Sequence, residues 1–112
     1  MRLQQANQGF TGMAIDPGIA LSGEVDLTAW ASLSRALDQA VADHTEGKDL
    51  VFDLGDLSFI DAHGVDLFAE AAHRLGPSER LILQDAPPIL MRIARILRLD
   101  RDPKLVIRGR GR

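Results

Sequence analysis

Residues 50–75, LVFDLGDLSFIDAHGVDLFAEAAHRL, contain both kinds of element that a layered α/β domain is made from. Asp49–Leu54 (DLVFDL) is a short apolar run of the type buried in the middle of a sheet. Gly55-Asp56 interrupts it, and Leu57–Ile60 is extended again or forms a buried loop. Asp61 then offers a carboxylate to cap a helix. Val65, Phe68, Ala69, Ala72 and Leu75 recur at helical spacing and form its inward stripe, with Asp66, Glu70 and His73 off the stripe and facing solvent. Gly76-Pro77 ends it.

The same alternation extends in both directions. Upstream, Met13–Ile15 and Ile19–Leu21 read as two short strands. Asp16-Pro17-Gly18 makes the turn between them, because Pro presets φ and Gly permits a positive one. Gly23-Glu24-Val25-Asp26 leads into a helix capped by Asp26 or Thr28. Its apolar stripe is Trp30, Leu33, Leu37, Ala40, Val41 and His44. Trp30 is read as core, and His44 as a last-turn residue favoured by the helix dipole. Downstream, Arg80–Gln84 is a central strand. Asp85-Ala86-Pro87-Pro88 starts a helix, since Pro is tolerated in a first turn. Ile89, Leu90, Ile93, Ile96 and Leu97 are expected to point inward, and Arg92, Arg95 and Arg98 outward. Lys104–Ile107 reads as an edge strand.

The expected order is β-β-α-β-α-β-α-β. It describes a single α/β domain with a mixed, mostly parallel sheet of about four to five strands and three or more helices. The expected boundaries are a flexible N-terminal segment at 1–11, the domain at 12–107 and a basic tail at 108–112. A chain of 112 residues with 46% apolar content suits one compact core.

Composition removes several kinds of chemistry. There is no cysteine, which excludes disulfides, thiolate metal sites and cysteine nucleophiles. No phosphate-binding glycine loop, GxSxG or HExxH motif occurs. His44, His63 and His73 are not spaced for one metal, and no catalytic carboxylate pair stands out. We therefore expect no enzyme, cofactor or metal. With neither a membrane-length apolar run nor a signal-peptide h-region, a cytoplasmic protein is expected. The net charge of −3 is divided unevenly: residues 1–79 carry −9 and residues 80–112 carry +6. A solvated basic helix and a loose RGRGR tail are expected from the basic part. The tail lacks aromatics for base stacking, so nucleic acid is not the expected partner.

Three stretches together resemble the STAS domain, the family of bacterial anti-sigma-factor antagonists and of the cytoplasmic ends of sulphate transporters. Leu21-Ser22-Gly23-Glu24-Val25-Asp26-Leu27 is similar to the family's L-x-G-E-[LV]-D-L. Leu50–Val65 is similar to its strand followed by F-[IM]-D-S-[ST]-G-[LV]. The third stretch is the β-α-β finish with its apolar last helix. The likeness runs over residues 12–107. It implies a non-enzymatic domain that binds an anti-sigma factor, usually a serine kinase of the histidine-kinase-like ATPase type. Phosphorylation of the Ser after the loop Asp then releases it. Asp61 and Gly64 match the loop Asp and Gly; Ala62 stands at the Ser and His63 at the following Ser/Thr. Alanine has no hydroxyl to modify. The resemblance thus implies a partner-binding loop and helix start at Asp56, Ser58, Asp61, Ala62, His63, Gly64 and Asp66. Glu24 and Asp26 lie near the family's interaction face. Ser58 is the nearest hydroxyl for a relocated modification. The alternative is a small STAS subunit or scaffold that pairs with a transport ATPase or another regulatory complex.

Overall fold

A computed structural model describes residues 5–7, 9–15 and 18–110 of the chain. Its six-stranded sheet has the order of the sequence itself: β1 (Gln5–Asn7), β2 (Phe10–Ile15), β3 (Gly18–Val25), β4 (Leu50–Ile60), β5 (Leu81–Ala86) and β6 (Leu105–Gly109). β1–β2 and β2–β3 pair antiparallel; β3–β4, β4–β5 and β5–β6 pair parallel. The parallel strands are joined by α1 (Trp30–Asp43), α2 (Ala62–Ala72) and α3 (Pro88–Ile96). Right-handed crossovers between strands laid down in sequential order bring all three helices to one face. α2 accordingly packs against both α1 and α3. Among the described residues, no helix is long and apolar enough to cross a membrane.

The core lies between the helices and the sheet. Phe52, Leu54, Leu57 and Ile60 of β4 are fully buried, as are Leu33 of α1, Phe68 of α2 and Leu90 of α3. The Phe52 and Phe68 rings meet edge to face at 5.5 Å between centroids.

The sequence reading departs from this fold in four places. First, the sheet begins before residue 12. Phe10 is in the core and Gln5–Asn7 adds a sixth strand, so the boundary set for a flexible 1–11 segment falls inside β2. The hairpin of β2 and β3 is present, and its predicted turn residues Asp16 and Pro17 lie outside the described residues. Second, β4 does not break at Gly55-Asp56. It runs through them with two register shifts against β3, between the Ala20 and Ser22 pairs and between the Gly23 and Glu24 pairs. Each shift inserts one extra residue in β4, which converts alternation into a period of three: Leu54, Leu57 and Ile60 all face the core. Asp53 sits mid-sheet, between Ala20 and Gln84, and accepts the Gly55 N–H at 2.9 Å.

Third, Ile96 and Leu97 are exposed, not inward. The buried face of α3 is Leu90 and Ala94. Ile96 is turned about 120° from Leu90 around the helix. Leu97 falls at the C-terminal cap, just before Arg98 takes a left-handed φ of 60°. Fourth, the C-terminal basic residues are not all loose. Pairing of β4 with β5 stops at Asp53–Gln84, which leaves later carbonyls unpaired. The Arg110 guanidinium donates to the carbonyls of Leu54 (3.0 Å), Leu57 (2.8 Å) and Asp85 (3.0 Å). Arg108 donates to Gln84. One guanidinium thus satisfies the acceptors that the bulged strand leaves behind.

Candidate functional site

The C-terminal ends of β3 and β4 deliver two helix starts to the same end of the sheet, where functional sites of open α/β sheets gather. At the end of β3, Gly23 has φ +96°, and a Cβ there would lie 1.5 Å from the Gly9 carbonyl oxygen. Only glycine permits that approach, which lets Glu24 donate its N–H to Gly9 O at 2.6 Å. Asp26 caps the 3-10 turn Leu27–Ala29 that feeds α1. Its carboxylate accepts from the Thr28 hydroxyl (2.6 Å) and the Thr28 N–H (3.0 Å). Those bonds, the hydroxyl's first, hold its carboxyl below the usual value.

At the end of β4, Asp61 donates its N–H to Val25 O at 3.0 Å, so the two strand ends are tied together. Its carboxylate caps α2 by accepting the Gly64 N–H at 2.8 Å. Both carboxylate oxygens also face the Trp30 indole N–H, at 3.1 and 3.0 Å. The Trp30 ring is half-buried, and the His63 ring tilts against it at 4.1 Å between centroids. Gly64 is buried; a Cβ there would lie 2.7 Å from Cγ1 of both Ile60 and Val25. Its role is close backbone packing of α2 onto two strand ends.

The predicted site residues divide by what they do here. Asp61, His63 and Gly64 come together around Trp30, and Ala62 beside them is exposed. Asp66 is exposed on α2. Glu24 lies directly across the ladder from Phe59. Asp56 sits at the first bulge opposite Ser22, and the Ser58 hydroxyl donates to Gly23 O at 3.1 Å. Asp26 is engaged locally with Thr28. Among the described residues, no three His, Asp or Glu side chains gather as a metal-binding group.

The sequence reading missed Trp30, Leu27 and Phe59. Leu27 is 69% exposed and Phe59 39%. Of the three, only Trp30 carried a physical signal. An indole N–H on a half-buried helix face needs an acceptor, and a capping carboxylate has lone pairs to spare. The start of α2 therefore exposes Ala62, His63 and Asp66, with the His63 ring set against half-buried Trp30.

A second polar cluster lies at the opposite end of the sheet. Glu79 is buried and accepts the Gly47 N–H (2.6 Å), the Gly76 N–H (2.7 Å) and His44 Nε2 (2.9 Å). These bonds, Gly47 first, bring its carboxyl down to about 2. His44 Nδ1 meets Val41 O at 2.7 Å, and that bond is the main cause of its raised pKa. Lys104 Nζ donates to the carbonyls of Gly76 and Glu79. This cluster ties together the loops before β4, β5 and β6, and is structural.

A mixed sheet backed by one helix layer, with two capped helix starts at the C-terminal ends of β3 and β4, defines a small open-sheet α/β domain. The family model described as "Mlab, STAS domain" matches residues 10–108, and the chain belongs to the STAS domain family. Two solved structures are similar in fold. An anti-sigma factor antagonist from Mycobacterium paratuberculosis is 23% identical with a TM-score of 0.66, over 95% of this chain and 84% of that one. Apo-SiaC from Pseudomonas aeruginosa is 18% identical with a TM-score of 0.52, over 97% of this chain and 99% of that one. No curated protein sequence matches the chain.

Proposed function

We propose that this chain is a non-enzymatic regulatory binding domain of the antagonist type. It acts in the cytoplasm on an anti-sigma factor or serine kinase of the histidine-kinase-like ATPase type. Binding uses the end of β4 from Gly55 to Ile60, the capping Asp61 and the start of α2, and phosphorylation at this helix start does not end it. The observation that carries the lack of a phosphorylation switch is Ala62. It is the exposed first residue of α2, directly after the capping Asp61, and it has no hydroxyl. Ser58, the nearest hydroxyl in the sequence before it, lies in β4 and is engaged with Gly23 O. Support for the antagonist type comes from the family and from the fold likeness to an anti-sigma factor antagonist.

The second reading is a small STAS subunit that pairs lastingly with a transport ATPase. It is favoured by the Mlab form of the matching family model and by Ala62 itself, because a permanent subunit needs no release device.

The test is to purify the tagged protein from its own host beside Ala62→Asp and to identify bound proteins by mass spectrometry. A carboxylate at an exposed first helical position interacts favourably with the helix dipole, so the variant folds. It nonetheless places part of a phosphate's charge against the partner. An anti-sigma kinase held by the natural chain and lost about tenfold or more with Asp is the expected result. A transport ATPase, or a partner indifferent to Asp, overturns the antagonist reading.

A further inference from the structure

The basic part of the chain has a shape as well as a charge. α3 and β6 enclose a groove made of adjoining hollows of about 220 and 320 Å³, and a third of about 370 Å³ continues it past the end of α3. Half-buried Met91 and Ile107 lie along it, and Arg95 lines all three hollows. Arg92, Arg95, Arg98 and Arg101 are exposed, and none is paired with a carboxylate among the described residues. Asp100 lines two of the hollows and is the single acid there, so the groove is strongly positive. β6 is the end strand of the sheet and pairs only with β5. Half of its backbone groups therefore point away from the sheet beside the groove.

We propose that the groove between α3 and β6 binds an extended acidic segment of a partner protein, with apolar side chains alternating with carboxylates. An extended chain alternates its side chains from one side to the other. One set fills the hollows over Met91 and Ile107, and the other brings carboxylates to Arg92 and Arg95. Guanidinium groups suit carboxylates because their donors form a planar fork. A flat bilayer fits less well, because Met91 and Ile107 are only partly exposed below the arginines. Single-stranded nucleic acid fits less well too, since none of the lining residues is aromatic. The groove is separate from the start of α2, and what binds there does not bear on it.

The probe is a fluorescein-labelled peptide of four Glu-Val repeats, titrated with the full chain by fluorescence anisotropy. Controls are four Lys-Val repeats, eight glutamates, and vesicles containing phosphatidylglycerol. The Glu-Val peptide is expected to bind in preference to both control peptides, with amide shift changes in NMR spectra gathered over residues 88–110. The double variant Arg92→Gln, Arg95→Gln is expected to weaken it about tenfold, in keeping with two charged hydrogen-bond pairs. Both arginines are exposed, so the melting temperature should be unchanged. Four results overturn the proposal: indifference to the arginine change, equal binding of eight glutamates, shift changes centred on residues 56–66, or binding of vesicles without binding of the peptide.

Discussion

Replacing Gly64 with alanine tests the packing at the start of α2. The added Cβ would lie 2.7 Å from Cγ1 of Ile60 and 2.7 Å from Cγ1 of Val25, with Ile60 Cδ1 at 3.1 Å. Both neighbours are β-branched, fully buried and fixed in paired strands, so neither γ-carbon can swing away. Overpacking of this kind costs about 1–3 kcal/mol. Ala in place of Gly within a helix returns up to about 1 kcal/mol. Two contacts at 2.7 Å with fixed neighbours put the cost at the upper end, about 2–3 kcal/mol, so with about 1 kcal/mol returned the balance is a net loss of about 1–2 kcal/mol. For a domain of this size that lowers the melting temperature by roughly 4–15 °C. Urea unfolding followed by the fluorescence of Trp30, the one tryptophan of the chain, measures it directly. A double-mutant cycle with Val25→Ala sharpens the result. Removing the valine γ-carbons alone leaves a cavity, but combined with Gly64→Ala it relieves the clash, so the two changes should couple. Gly64→Ala that is as stable as the natural chain, or two changes that simply add, would refute the packing argument.

Two further outcomes follow from the same geometry. Asp61→Ala removes the cap on Gly64 N–H and leaves the Trp30 indole without its acceptor, so a loss of about 1–3 kcal/mol in urea unfolding is expected, with a shift in Trp30 emission; a loss below about 0.5 kcal/mol counts against it. Glu79 has its folded pKa lowered from 4.5 to about 2, so its contribution is present above pH 4.5 and lost as pH falls toward 2. His44 is raised from 6.5, so its contribution is present below 6.5 and lost as pH rises through its folded value. The urea midpoint of Glu79→Gln should therefore trail that of the natural chain most between about pH 4.5 and 6.5, and the gap should close toward pH 2.

The alternation of strand and helix was legible because each element is periodic over enough residues for its buried face to show. Leu33 and Leu37, Val65 and Phe68, and Leu81 and Leu83 all lie where their spacing puts them. What escaped was set by contacts distant in sequence. The period of three in β4 exists only because two bulges against β3 insert a residue each, and nothing local announces a bulge. Arg110 looks like part of a loose tail until the carbonyls of Leu54 and Leu57, more than fifty residues earlier, are seen to lack partners. Ile96 and Leu97 are apolar and helical in spacing, yet the helix ends beneath them and nothing covers them. At the site, Asp61 was legible as the cap and Gly64 as a loop glycine, but Trp30 was assigned to the core alone because its acceptor lies 31 residues away.

These constraints also say which position around the helix start the fold leaves free to vary. Asp61 holds the Gly64 N–H, the Trp30 indole and the end of β3. Gly64 leaves no room for a side chain. His63 rests on Trp30. Each has a folding reason to be what it is, so none by itself speaks about regulation. Ala62 has no such reason: it is exposed, and the cap before it is already made by Asp61. A serine there would meet open solvent and cost the fold little, since surface changes of this kind stay within about 0.5 kcal/mol. The residue at 62 is thus free to answer to whatever approaches the helix start, and in this chain it answers with a side chain that cannot take a phosphoryl group.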